Sequence, residues 1–171
     1  MQKFTMKCAV VLVCSATALA WAGGKHKQKA NDDNENEGNR TIVSQVFNQL
    51  FNKRSFELVN QIYEPNCVVH HRNKTMTLSE ALTDLREWQS AAPDMTMTIE
   101  KIRGEGDHLT VHWIARGTNT GTGHGLKPSG KPIVVRGHTE FKITNGKIAE
   151  EWNDFNEEEI FKQAGQTPPK G

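Results

Sequence analysis

The chain has 171 residues, with 21 Lys+Arg against 20 Asp+Glu and a formal net charge of +1. So even a balance leaves no strong field of either sign, and composition gives no support for a nucleic-acid or membrane-surface partner. With charged residues at 24% and hydrophobic ones at 36%, the body can bury a single core.

At the N-terminus, Lys3 and Lys7 precede an apolar run from Cys8 to Ala22 that closes on Ala20-Trp21-Ala22. This layout predicts a secretory signal over residues 1–22, hence a secreted or periplasmic protein with no membrane contact after cleavage. The run is too short for a spanning helix and meets basic and polar residues at once. Cleavage removes Cys8 and Cys14 and leaves Cys67 alone, so no internal disulfide can form. Residues 23–39 run from basic to acidic with almost no apolar content and predict a disordered leader. One domain follows over residues 40–165, then a tail over 166–171.

From Thr41, Ile42, Val43, Val46, Phe47, Leu50 and Phe51 recur on one helical face. A second short helix, with Ser55 as its cap, ends at Pro65, and CVVHHR reads as a strand. Thr77 and Glu80 form a capping-box pair that announces a third helix up to Pro93. Beyond Pro93 come four segments of β-type alternation, MTMTIEKIRGEGD, HLTVHWIARGTNTG, IVVRGHTEFKITNG and KIAEEWNDF. Helices first and a sheet afterwards is an α+β layout. The last strand leads into a short helix stopped by Gly165 and Pro168.

Asn145-Gly146 is the residue pair of a two-residue hairpin, and a regular count from it assigns faces. Ile143 falls opposite Ile148, Phe141 opposite Glu150, Thr139 opposite Trp152 and Gly137 opposite Asp154. On that count Glu150, Trp152 and Asp154 face the apolar side and Glu151 is solvated. A one-residue slip would invert the assignment. Carboxylates on an apolar face are candidates for acid/base work, because burial raises their pKa.

Other chemistry is weaker. GHGLKPSGKP nearly spells a phosphate-binding loop, but Pro132 stands where a hydroxyl would reach magnesium and no helix follows. The seven histidines include no helical ligand pair, and His70 and His71 point to opposite sides of a strand, so no metal site is expected. Cys67 has no basic neighbours to make it a thiolate.

The stretches GTNTGTGHGLKPSGK and GHTEFKITNGKIAEEWNDFNEEEIFKQAG, with YEPNCVVHH and APDMTMTIEKIRGEGDHLTVHW before them, resemble the SnoaL-like polyketide cyclase or ester cyclase branch of the nuclear transport factor 2-like superfamily. The resemblance runs from about Val43 to Gly165. It implies a cone in which a curved antiparallel sheet wraps around N-terminal helices and encloses a pocket. It also implies that His70 matches the family's strand histidine and that Glu150 and Trp152 match its G-K-I-x-E-x-W element. Asn156 stands where the family commonly has a cavity-facing carboxylate, and Asn119 stands where its G-T-H-T-G stretch has histidine.

Three functions follow. The first is a cofactor-free cyclase or isomerase for a small apolar or carbonyl-containing molecule, with Asp154 as base and His70 or Asn156 as donor to the enolate. The second is a non-catalytic binding module with Trp113, Phe141 and Trp152 as walls and Glu150 deeper. The third is a homodimeric assembly unit, since such cones commonly pair through the sheet face.

Overall fold

A computed structural model describes residues 36–169. The expected signal segment and most of the leader lie outside the described residues. The first helix, α1, covers residues 36–51 and widens to a π turn over Val46–Phe51. Its apolar stripe works as expected, with Val43, Val46, Phe47 and Leu50 fully buried. It also takes in residues 36–39, which local composition assigned to the leader. The cause is tertiary: buried Asn39 donates from Nδ2 to the Gly106 carbonyl at 2.9 Å.

A 3-10 turn over Phe56–Leu58 leads into α2 (Val59–Ile62), and the Ser55 side chain makes no capping bond. β1 (Tyr63–His71) starts before Pro65 rather than after it. It can do so because its pairing jumps from Tyr63 to Val68, which leaves Pro65 in a bulged span where no N–H is required. β2 (Lys74–Thr77), too short to show alternation, runs straight into α3 (Leu78–Ala91). The capping box holds there: Thr77 Oγ1 accepts from the Glu80 amide, and Glu80 accepts from the Thr77 amide.

The four long strands follow as β3 (Thr96–Glu105), β4 (His108–Thr118), β5 (Pro132–Thr144) and β6 (Lys147–Phe155), then α4 (Glu157–Ala164). Gly165 ends α4 in the left-handed conformation, as its position implied. The fold is α+β, a single curved and unclosed sheet in the order β2-β1-β6-β5-β4-β3 with helices on its inner side. One correction applies to the antiparallel expectation: β1 and β6 pair in parallel. β1 can meet the last strand this way because almost the whole domain connects them. Phe47, Leu109, Val111, Phe141, Ile143 and Ile148 form the centre of the core. Among the described residues no helix is long and apolar enough to cross a membrane.

The β5–β6 hairpin corrects the face assignment. Asn145 (φ 51) and Gly146 (φ 74) form the expected turn, and Ile143 pairs with Ile148. The next pair is Lys142 with Glu150, so Ala149 is an extra residue. Beyond it every β6 side chain sits on the face opposite to the regular count. Phe141 faces Glu151 and Thr139 faces Asn153, while Trp152 and Asp154 pair with Glu140 and His138.

Candidate active site

Between α3 and the concave side of the sheet lies a chamber of about 880 Å³ of atom-free space, partly open to solvent. Its walls are mainly apolar, including Leu85, Trp88, Met97, Trp113, Ala115 and Phe155. Phe155 lies 5.8 Å from Trp113 and 6.1 Å from Trp88 between ring centroids, so the three rings form one continuous wall. Few polar groups are in reach, and they gather at two ends.

The buried end holds a chain of hydrogen bonds. Trp113 Nε1 donates to Thr139 Oγ1 at 2.9 Å, and the Thr139 hydroxyl donates to Asn153 Oδ1 at 2.8 Å. Asn153 Nδ2 then donates to Glu151 Oε1 at 2.7 Å, and the Tyr63 hydroxyl donates to Glu151 Oε2 at 2.8 Å. An indole N–H can only donate, so it sets the direction, and every proton points towards Glu151. Burial raises the Glu151 pKa against the opposing effect of those two donors. Tyr63 is held well above its usual range, first by burial and then by the Glu151 charge. Burial also pushes the Cys67 thiol up to about 12, which keeps it protonated and unreactive.

The mouth is where the chamber meets a polar vestibule, and His71, Met76 and Asp84 line both. His71 Nδ1 donates to the Asn153 carbonyl at 2.9 Å and Nε2 faces Glu157 Oε1 at 2.7 Å, with its ring stacked on Phe155 at 4.6 Å. With an acceptor at each nitrogen, the imidazolium is favoured. The Glu157 bond raises the His71 pKa despite burial, and the same bond lowers that of Glu157. Opposite stands Asp84, whose carboxylate accepts no hydrogen bond among the described residues; His124 Nε2 lies 3.5 Å from Oδ1 and 3.1 Å from the Asp84 main-chain carbonyl oxygen. Burial raises the Asp84 pKa, with His124 and His71 opposing.

His124 reaches this place through its glycine-rich loop. Gly121 and Gly123 press against the carbonyls of Ser90 and Glu87 on α3, where a Cβ would collide. Asn119 pins the loop, donating from Nδ2 to the Ala91 and Gly121 carbonyls. His124 then stacks on Trp88 at 3.9 Å. The Trp88 Nε1 is buried and has no acceptor among the described residues. Among those residues, no three His, Cys, Asp or Glu side chains converge as a metal site.

The SnoaL-like polyketide cyclase family matches residues 41–164, nearly all of the described domain. The chain belongs to that family. Solved structures agree on the fold. A candidate SnoaL-like polyketide cyclase from Jannaschia sp. CCS1 superposes with a TM-score of 0.72 at 17% identity, covering 78% of this chain and 96% of that one. IdmH, a candidate polyketide cyclase from Streptomyces antibioticus, gives 0.67 at 22% identity, covering 74% and 98%. AclR, a candidate hydroxylase from Streptomyces galilaeus, gives 0.70 at 16% identity, covering 80% and 86%. No match was found among curated proteins.

Within this SnoaL-like domain the expected site residues separate. Trp113 lines the chamber. Phe141 instead packs on Phe47 in the core, 6.4 Å between centroids. Asp154, expected to face the apolar side, has its side chain 71% exposed on the outer face, 3.8 Å from His138. His70, Glu150 and Trp152 form an outer cluster, with His70 Nε2 2.9 Å from Glu150 and its ring stacked on Trp152. Asn156 caps α4, accepting from the Glu159 amide. Glu151, expected in solvent, is 5% exposed and lines the chamber. Six polar residues of the chamber, Tyr63, His71, Asp84, Thr139, Glu151 and Asn153, are not among the expected site residues. Asp84 had a readable signal: it shares a helical stripe with Ala81, Leu85 and Trp88, an acid on an apolar face.

Proposed function

We propose that this protein takes a small, largely apolar, carbonyl-bearing molecule into the chamber and moves a proton at the carbon next to the carbonyl. Asp84 is the base. What carries this reading is the state of its carboxylate, which is the chamber acid left free of hydrogen bonds among the described residues while Glu151 has both oxygens engaged. A base works best when no donor holds its charge and its pKa is raised, and half-burial supplies the second. His124, with Nε2 3.5 Å from that carboxylate, opposes the rise. The Lys3-to-Ala22 segment supports export, with Gly23 as the expected first residue of the mature chain.

The test follows α-proton exchange of 2-tetralone in deuterated buffer by NMR. Wild-type protein should accelerate exchange above buffer, Asp84→Asn should reduce the acceleration by roughly 10²- to 10⁴-fold, and Asp154→Asn should leave it unchanged. No acceleration by the wild type, or a silent Asp84→Asn, refutes the catalytic reading.

A further inference from the structure

Glu151 is a buried acid on the wall of an apolar chamber, and among the described residues no Lys or Arg lines that chamber. His71, its one basic side chain, is committed to Glu157 and to the Asn153 carbonyl. Buried carboxylates ordinarily have a countercharge or take up a proton. Here neither remedy is complete. A proton on Oε2 in line with Tyr63 would strand the tyrosine's own hydrogen, and one on the free lone pair of either oxygen would itself meet no acceptor among the described residues. A proton on Oε1 would make the Asn153 amide turn round, and the Thr139 hydroxyl hydrogen would then lose its acceptor. The hydrogen-bond chain therefore fits an anion, while the surrounding apolar wall penalises one. A cation brought by the ligand would resolve the conflict.

The wall suits such a cation. Trp113, Phe155 and Trp88 present rings at 5.8 and 6.1 Å centroid spacing around the same space. Aromatic faces attract ammonium groups within about 6 Å, most strongly where water is excluded. The two Glu151 oxygens each accept one bond from the protein and each keep a lone pair for a donor.

We propose that the ligand of this chamber carries a protonated amine on an apolar body, its charge set against Glu151 and its carbons against Trp113 and Phe155. This assignment rests on the chamber being the ligand site and names the class of molecule it takes. The mouth, with Asp84, would then act on the other end of the molecule.

Two probes of like shape separate charge from mere hydrogen bonding: 4-phenylbutylamine and 4-phenyl-1-butanol, titrated calorimetrically into the full chain at pH 7. The amine should bind at least about tenfold more tightly than the alcohol, and Glu151→Gln should erase the preference. If Glu151→Gln does not fold, Tyr63→Phe serves in its place: it removes one donor from the carboxylate and should widen the preference. Equal binding of both probes, a preference that survives in folded Glu151→Gln, or one that shrinks in Tyr63→Phe overturns the proposal while leaving the chamber as a ligand site. Binding of neither probe overturns both. The exchange assay on Asp84 is read separately, so the base and the amine site can fail independently.

Discussion

The two faces of β6 carry nearly the same residue types and do opposite things. Outside, Glu150 meets His70 at 2.9 Å and Asp154 meets His138 at 3.8 Å, both in reach of water. Inside, Glu151 is enclosed, holds Tyr63 and Asn153, and belongs to a chain that ends on Trp113. Exposed ion pairs contribute little, because water solvates the separated charges almost as well. A buried acceptor is different, since removing it strands donors that water cannot reach. Which acid matters on this strand is therefore a question of face, and the face is set by one extra residue, Ala149.

Inserting an alanine between Ala149 and Glu150 is the harshest test of that contrast. With a single residue bulged, the insertion should turn Glu150, Trp152 and Asp154 inward and Glu151 and Asn153 outward, and so abolish cooperative thermal unfolding followed by circular dichroism. An insertion protein that melts like the wild type would break the comparison. Next in size, Glu151→Ala should cost about 2–5 kcal/mol in urea unfolding, because it leaves Tyr63 and Asn153 without an acceptor. Glu150→Ala should stay within about 1 kcal/mol. Similar losses for the two would show that the faces are not energetically distinct.

The turn that starts the strand gives a smaller effect. No atom lies near a Cβ built on Gly146, so only its positive φ resists substitution. Gly146→Val should therefore destabilise by about 1–2 kcal/mol more than Gly146→Asn, which tolerates that conformation. Equal melting temperatures would mean that the turn does not hold the register.

The smallest effect concerns the His71–Glu157 pair at the mouth. The folded pKa of His71 lies above its ordinary 6.5, so its contribution is complete below pH 6.5 and fades as pH rises through the folded value. The folded pKa of Glu157 lies below its ordinary 4.5, so its contribution is complete above pH 4.5 and fades as pH falls through the folded value. Glu157→Gln should thus lose most stability, up to about 1 kcal/mol given partial exposure, between pH 4.5 and 6.5. A loss that stays level from pH 3 to pH 9 would remove the ion pair from the account.

Much of the fold could be read from local pattern, and much less of the site. Trp113 was found, because a tryptophan in an alternating strand has few places to go. Glu151 and Asp154 exchanged roles, since a regular count from Asn145-Gly146 cannot register a bulge three residues beyond Gly146. Asp84 carried a signal in its helical stripe, but its importance depends on His71 and His124 arriving from β1 and from the loop over α3.

Local sequence accounts for what depends on a few neighbouring residues: the Thr77–Glu80 capping box, the left-handed Asn145-Gly146 turn, the stop at Gly165 and the alternation of the long strands. These are short-range matters of backbone conformation and hydrogen bonding, and the same residues would favour them in many surroundings. Tertiary structure alone decided that Ala149 is skipped. β6 lies between β5 and β1, and both neighbours pass over that residue, pairing Ile148 and then Glu150. The choice is made by strands that must fit on both sides at once and by side chains as distant as Tyr63 and Trp113, whose hydrogen bonds are complete only when Glu151 and Asn153 point inward.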